Sequence, residues 1–149
     1  MRYLNKIVFI NSAAIRYSEV QLDGNIHLIG TQGVGKSTIL RAILFFYNAD
    51  TQRLGIPVEK KSYQDYYFPY ADSSIIYEVA REDGWFTVLS YKTMNRICYR
   101  FIASPYRPDL FIDEEGAPYP SDRIRSVLDK NGIKYSGAIS TYEEYRKLG

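Results

Sequence analysis

The run Gly30-Thr31-Gln32-Gly33-Val34-Gly35-Lys36-Ser37 satisfies the pattern G-x-x-x-x-G-K-[ST] at every fixed position. Glycines at that spacing let successive backbone N–H groups turn inward as a nest for an anion. A helix opening at the end of the nest adds the positive pole of its dipole. Lys36 supplies a compact cation for the outer phosphates of a nucleoside triphosphate, and the Ser37 hydroxyl is a hard oxygen ligand suited to Mg²⁺. Thr38, directly after, is expected to pack or bond within the first turn. The chemistry is polyphosphate binding. ATP and Mg²⁺ are the expected ligands, with Gly30 through Thr38 as the nucleotide site and Ser37 on the metal.

Such a nest works only between a strand that delivers it and a helix that it opens. Ile7 to Ile10, apolar and β-branched, and Ile15 to Leu22, strand-length and ending at the turn signal Asp23-Gly24, read as two antiparallel strands, and Asn25 to Ile29 is a third short strand leading into the loop. The helix runs from Lys36 to Phe46. Its Ile39, Leu40, Ala42, Ile43, Leu44 and Phe46 leave few polar positions, so burial nearly all round is expected. Asp50 to Ser74, broken by Gly55, Pro57 and Pro69, reads as a long irregular connection.

Ser74 to Arg81 and Trp85 to Tyr91 read as a hairpin through Glu82-Asp83-Gly84, and Arg96 to Ala103 extends the sheet. Ser121 is expected to cap a helix over Asp122 to Lys130 that ends at Asn131-Gly132. Ser140 and Glu143 have capping-box spacing for a last helix.

Hydrolysis needs an acid beside the metal, usually at the end of an apolar strand. Leu110-Phe111-Ile112-Asp113-Glu114 is the one candidate. With Asp109 before it and Glu115-Gly116 after it, a turn is the preferred reading and a Walker B strand end the alternative. His27 and Cys98 read as packed residues without catalytic roles. Candidate DNA contacts are Lys60 and Lys61, interleaved with Tyr63, Tyr66 and Tyr67, together with Arg96 and Arg100, which alternation puts on one side of their strand.

At 149 residues, 46% hydrophobic and 24% charged, the chain supports one domain, 1–149, with a real core. A net charge of +2 confines nucleic-acid contact to a local patch. One cysteine excludes an internal disulfide and fits a reducing, cytoplasmic setting. No run is long enough for a signal peptide or a membrane span, so no membrane partner is expected. The 15 tyrosines suit half-buried sheet faces.

The loop in the form G-x-x-G-x-G-K-S-T, the two strands before it and the helix Ile39-Leu40-Arg41-Ala42-Ile43 after it resemble the N-terminal half of an ATPase head of the structural maintenance of chromosomes (SMC) family and its relatives in DNA repair and plasmid defence. The resemblance implies an α/β fold, a P-loop NTPase lobe of the ABC and SMC-head type, with a mixed sheet around the Walker A helix and an antiparallel strand group beside it. It also implies a lobe cut before a coiled coil, partnered by the C-terminal lobe of the same protein, a second ATPase head and DNA. Hydrolysis then requires the other lobe and head dimerisation, and this piece alone is inactive or nearly so. In this sequence Gln32 stands where that family usually has Asn, and no Gln follows Gln64 to serve as its Q-loop residue. Two other readings of the same residues are a complete small P-loop kinase or NTPase with Asp113 as the metal-side acid, and a nucleotide-sensing interaction module.

Overall fold

A computed structural model describes residues 3–22, 28–29, 35–48, 63–94 and 96–139. Six strands form one sheet: β1 (Tyr3–Ser12), β2 (Ile15–Leu22), β3 (Leu28–Ile29), β4 (Ser74–Arg81), β5 (Gly84–Thr93) and β6 (Arg96–Ile102), in the spatial order β3-β2-β1-β4-β5-β6. Among the described residues three helices accompany it, α1 (Lys36–Asn48), α2 (Tyr63–Tyr67) and α3 (Ser121–Lys130), together with a 3-10 turn at Pro108–Leu110.

Every pairing between these strands is antiparallel. The α/β fold expected from the resemblance, a P-loop NTPase lobe with a mixed sheet around the Walker A helix, is therefore corrected: the described residues form an antiparallel sheet with α1 against one face, and no helix-around-sheet arrangement of the P-loop type is present among them. The cause is local. β1 and β2 are joined through Ala13-Ala14, and β4 and β5 through Glu82-Asp83 with Arg81 paired to Gly84. Connections this short permit only antiparallel neighbours, whereas a parallel pair needs a crossover of a dozen or more residues. The long connection from β3 to β4 carries α1 and α2, yet β4 returns beside β1 running the opposite way.

Alternation along the strands builds two cores. On one face Ile7, Phe9, Val20, Ile75, Tyr77, Val79 and Tyr99 pack with Ile39, Ala42, Phe45 and Phe46 of α1 and with Tyr67 and Phe68. The Tyr77 hydroxyl donates to the Ala42 carbonyl across 3.1 Å, and its ring lies 4.8 Å from Phe46. On the other face Val8, Ile10, Ile76, Leu89 and Cys98 meet Leu110, Phe111, Ile124 and Leu128.

α1 is not buried all round: Leu40 and Leu44 are 42% and 46% exposed. They lie four residues apart, away from the stripe formed by Ile39, Ala42, Ile43 and Phe46 that covers the sheet. α3 starts one residue earlier than expected. Pro120 rather than Ser121 occupies its cap position, in extended geometry and without a side-chain capping bond. A ribbon over residues 134–139 runs along the outer side of β6, with Tyr99 and Ile139 exchanging both backbone bonds and Ser136 donating its N–H to Phe101.

Candidate phosphate-binding site

Of the nine residues expected to hold the nucleotide, Gly35, Lys36, Ser37 and Thr38 are described, while Gly30, Thr31, Gln32, Gly33 and Val34 lie outside the described residues, as does His27. β3 ends at Ile29 and α1 begins at Lys36, so the loop runs from a strand into a helix N-terminus. The first turn of α1 contains no acidic residue to occupy the positive pole of the dipole. Lys36 and Ser37 are both exposed. Among the described residues, a Cβ added at Gly35 meets nothing closer than the Thr38 hydroxyl at 3.9 Å, so toward those residues the space over Gly35 is open.

Thr38 is buried and carries none of that openness. Its hydroxyl lies 3.1 Å from the Tyr66 hydroxyl, and its carbonyl accepts a 2.7 Å bond from the Tyr67 hydroxyl. Thr38 packs, as expected, but these bonds run to α2 rather than within the first turn, and α2 itself lies inside the stretch read from sequence as irregular. Burial drives the Tyr67 phenol well above its ordinary pKa, with Tyr66 raising it further and Arg41 acting in the opposite direction. Tyr67 is thus a lasting hydrogen-bond donor at neutral pH.

Asp113 settles into a turn. Its Oδ1 accepts from the N–H groups of Glu115 and Ala117, each at 2.9 Å, and its backbone N–H donates to the Ala117 carbonyl. Gly116 takes φ +85°, a conformation that glycine adopts without strain. Glu114 is exposed at the tip. The turn reading is the one this geometry supports, because the carboxylate oxygen is spent on its own backbone in the manner of an Asx turn.

The candidate DNA cations separate. Lys60 and Lys61 lie outside the described residues. Arg96 is exposed at the start of β6. Arg100 is only 6% exposed: its guanidinium donates to the Ser136 carbonyl at 2.7 Å and sits 5.3 Å from the centre of the Tyr135 ring. The shared side of the strand follows from alternation, but that side is covered at Arg100 by residues 135 and 136. Cys98 is buried between them, and burial raises its thiol pKa while Arg96 and Arg100 draw it down.

A second polar centre carried no signal in the sequence. Glu78, 6% exposed in β4, accepts from Asn5 Nδ2 at 2.8 Å and from the Tyr106 backbone N–H at 2.7 Å. The irregularity in β1 between Leu4 and Lys6 is where Asn5 sits, and the same residue accepts from Gln21 through both its carbonyl and its Oδ1. Tyr106 in turn shares a 2.8 Å bond with Tyr17, whose hydroxyl also reaches Glu19; Glu19 pairs with Lys6 at 3.1 Å. Burial pushes the Tyr17 phenol up to about 12 and the Tyr106 phenol higher. With each acid already partnered, this network ties the segment after β6 to the sheet.

Beside it, a groove of about 840 Å³ lies between Arg16 and Tyr17 on β2 and the turn around Asp113, Glu114 and Tyr119. Tyr17 shares its sheet face with Val8 and Ile10, the face opposite α1, so this groove is distinct from the phosphate loop. Among the described residues there is no group of three or more His, Cys, Asp or Glu side chains able to hold a metal, and no helix long and apolar enough to cross a membrane.

No curated protein matches this chain in sequence. No solved structure matches it either. The profile of one family, described as a protein of unknown function (DUF3584), matches residues 11–148. That match takes in β2 through α3 and the whole glycine-rich run from Gly30 to Thr38, and on it the chain belongs to the DUF3584 family.

Proposed function

We propose that this chain binds ATP with Mg²⁺ through Gly30 to Thr38 and serves as the nucleotide-binding part of a larger SMC-like ATPase that acts on DNA. One observation carries the reading: a complete G-x-x-x-x-G-K-S run lies between the end of β3 at Ile29 and the start of α1 at Lys36, with Lys36 and Ser37 exposed. The backbone N–H groups of the loop and helix terminus take the phosphates, Lys36 neutralises the outer ones, and Ser37 ligates Mg²⁺. Asp113 is occupied by its own turn, which favours hydrolysis that depends on residues from the second lobe and a partner head over a self-sufficient small kinase. In the same reading Arg96 offers DNA an exposed cation, a contact that is salt-sensitive and blind to sequence.

The test is calorimetric titration with Mg-ATP. Wild type binds, and Lys36→Ala weakens binding at least about tenfold while leaving the thermal midpoint unchanged, because Lys36 is exposed. Equal affinity in the two proteins, or no binding by wild type, overturns the assignment.

A further inference from the structure

Resting on the phosphate-loop reading, we propose that Tyr66 is a positioning residue for the loop, acting through Thr38 to keep the backbone of Gly35 turned toward a bound triphosphate. Two tyrosines from the five-residue helix α2 converge on the residue that follows Ser37. Tyr66 meets the Thr38 hydroxyl at 3.1 Å and Tyr67 donates to the Thr38 carbonyl at 2.7 Å, their rings packed edge to face at 4.8 Å. Among the described residues, the Thr38 hydroxyl is also the nearest group to a Cβ placed on Gly35, at 3.9 Å, so it sits beside the last peptide of the loop.

A threonine inside a helix ordinarily turns its hydroxyl back onto the carbonyl three or four residues earlier. Three residues before Thr38 is Gly35, whose carbonyl already accepts the first helical bond, from the Ile39 N–H at 3.2 Å. Either hydroxyl can donate in this contact; donating to the Tyr66 phenol oxygen, the Thr38 hydroxyl is kept off that carbonyl. Without the phenol, Thr38 competes with Ile39 for the Gly35 carbonyl and tilts the peptide whose N–H belongs to the phosphate nest. Pre-organised donors bind an anion more tightly than donors that must first be reoriented. Tyr67 works on the backbone side, bracing the turn itself.

The discriminating measurement is Mg-ATP affinity by calorimetry on the whole chain, with urea unfolding in parallel, for wild type, Tyr66→Phe, Thr38→Val, the double variant and Lys36→Ala. Tyr66→Phe weakens Mg-ATP about three- to tenfold, while its urea midpoint falls by no more than the loss of one hydrogen bond allows. In the Thr38→Val background the Tyr66 substitution has no further effect, because the hydroxyl it orients is gone. Wild-type affinity in Tyr66→Phe, an undiminished effect in the Thr38→Val background, or a urea midpoint that falls further than one lost hydrogen bond allows each overturns the positioning role. In those cases Lys36→Ala still weakens binding at least about tenfold and the loop reading stands. A wild-type chain that binds no nucleotide overturns both.

Discussion

Glu78 gives the sharpest quantitative expectation. Its two oxygens receive two donors, the Asn5 amide and the Tyr106 backbone N–H, the second within a buried environment. Glu78→Ala removes both acceptors and strands both donors at about 1–3 kcal/mol each, a loss of about 2–6 kcal/mol. Against a total stability of about 5–15 kcal/mol for a domain, that is a large fraction, and at this chain length it corresponds to a fall in Tm of about 5–20 °C.

Glu78→Gln keeps the volume and one oxygen but sets an NH₂ against the second donor, so about 1–3 kcal/mol is lost. The order wild type, Gln, Ala should appear in urea unfolding with a constant slope. Hydrogen exchange adds a local readout: the Tyr106 amide is slow in wild type and fast in Glu78→Ala. An alanine variant within about 1 kcal/mol of wild type, with the Tyr106 amide still protected, refutes the reasoning.

Three further expectations follow from single sites. Asp113→Asn retains an Oδ1 able to accept from Glu115 and Ala117 and stays within about 0.5 kcal/mol of wild type, whereas Asp113→Ala loses about 1–2 kcal/mol by urea unfolding; equal losses would count against the Asx turn. The Ser12 hydroxyl is fully buried with no hydrogen-bond partner among the described residues, so Ser12→Ala raises stability by about 1 kcal/mol in thermal melts, and a destabilised variant reveals a partner. Burial raises the phenols of Tyr17, Tyr67 and Tyr106 above the ordinary value of 10.0, so the native state holds these protons more tightly than the unfolded chain. Their stabilisation is fully present below pH 10 and is lost as pH rises toward and beyond the Tyr17 value of about 12; a urea midpoint that stays flat through that window contradicts the burial.

What could be read in the residues divides along physical lines. The turn at Asp113 was legible because Asp and Gly three apart state their own backbone geometry, and the hairpin through Glu82-Asp83-Gly84 for the same reason. The strand-to-helix setting of the loop was legible from Leu28, Ile29 and the apolar run after Lys36. Strand direction was legible where a short turn joins neighbours, as in the antiparallel pairs β1–β2 and β4–β5, but not across the long connection to β4, and there the mixed sheet came from resemblance rather than from any residue.

The exposed Leu40 and Leu44 were illegible because composition around a helix does not state how many of its sides find a neighbour. Arg96 and Arg100 were correctly placed on one side, but the carbonyl that takes up Arg100 lies 36 residues away. Glu78 was hidden in the same manner, with partners 73 and 28 residues distant and nothing in its own run of Ile, Tyr and Val to mark them. Tyr66 and Tyr67 were noticed as aromatics mixed with charge, and their seat on Thr38 was settled by tertiary packing.

The ribbon at residues 134–139 has a consequence for how this protein can associate. By saturating backbone groups along β6, it denies an incoming extended chain a template on that flank, the usual route to edge-to-edge aggregation. Among the described residues, the rim left uncovered is the part of β2 beyond the two-residue β3, where Arg16 and Glu19 set exposed charges against a hydrophobic newcomer. Assembly by sheet extension is thereby discouraged at both margins, leaving the helical layers as the natural places for another polypeptide to dock.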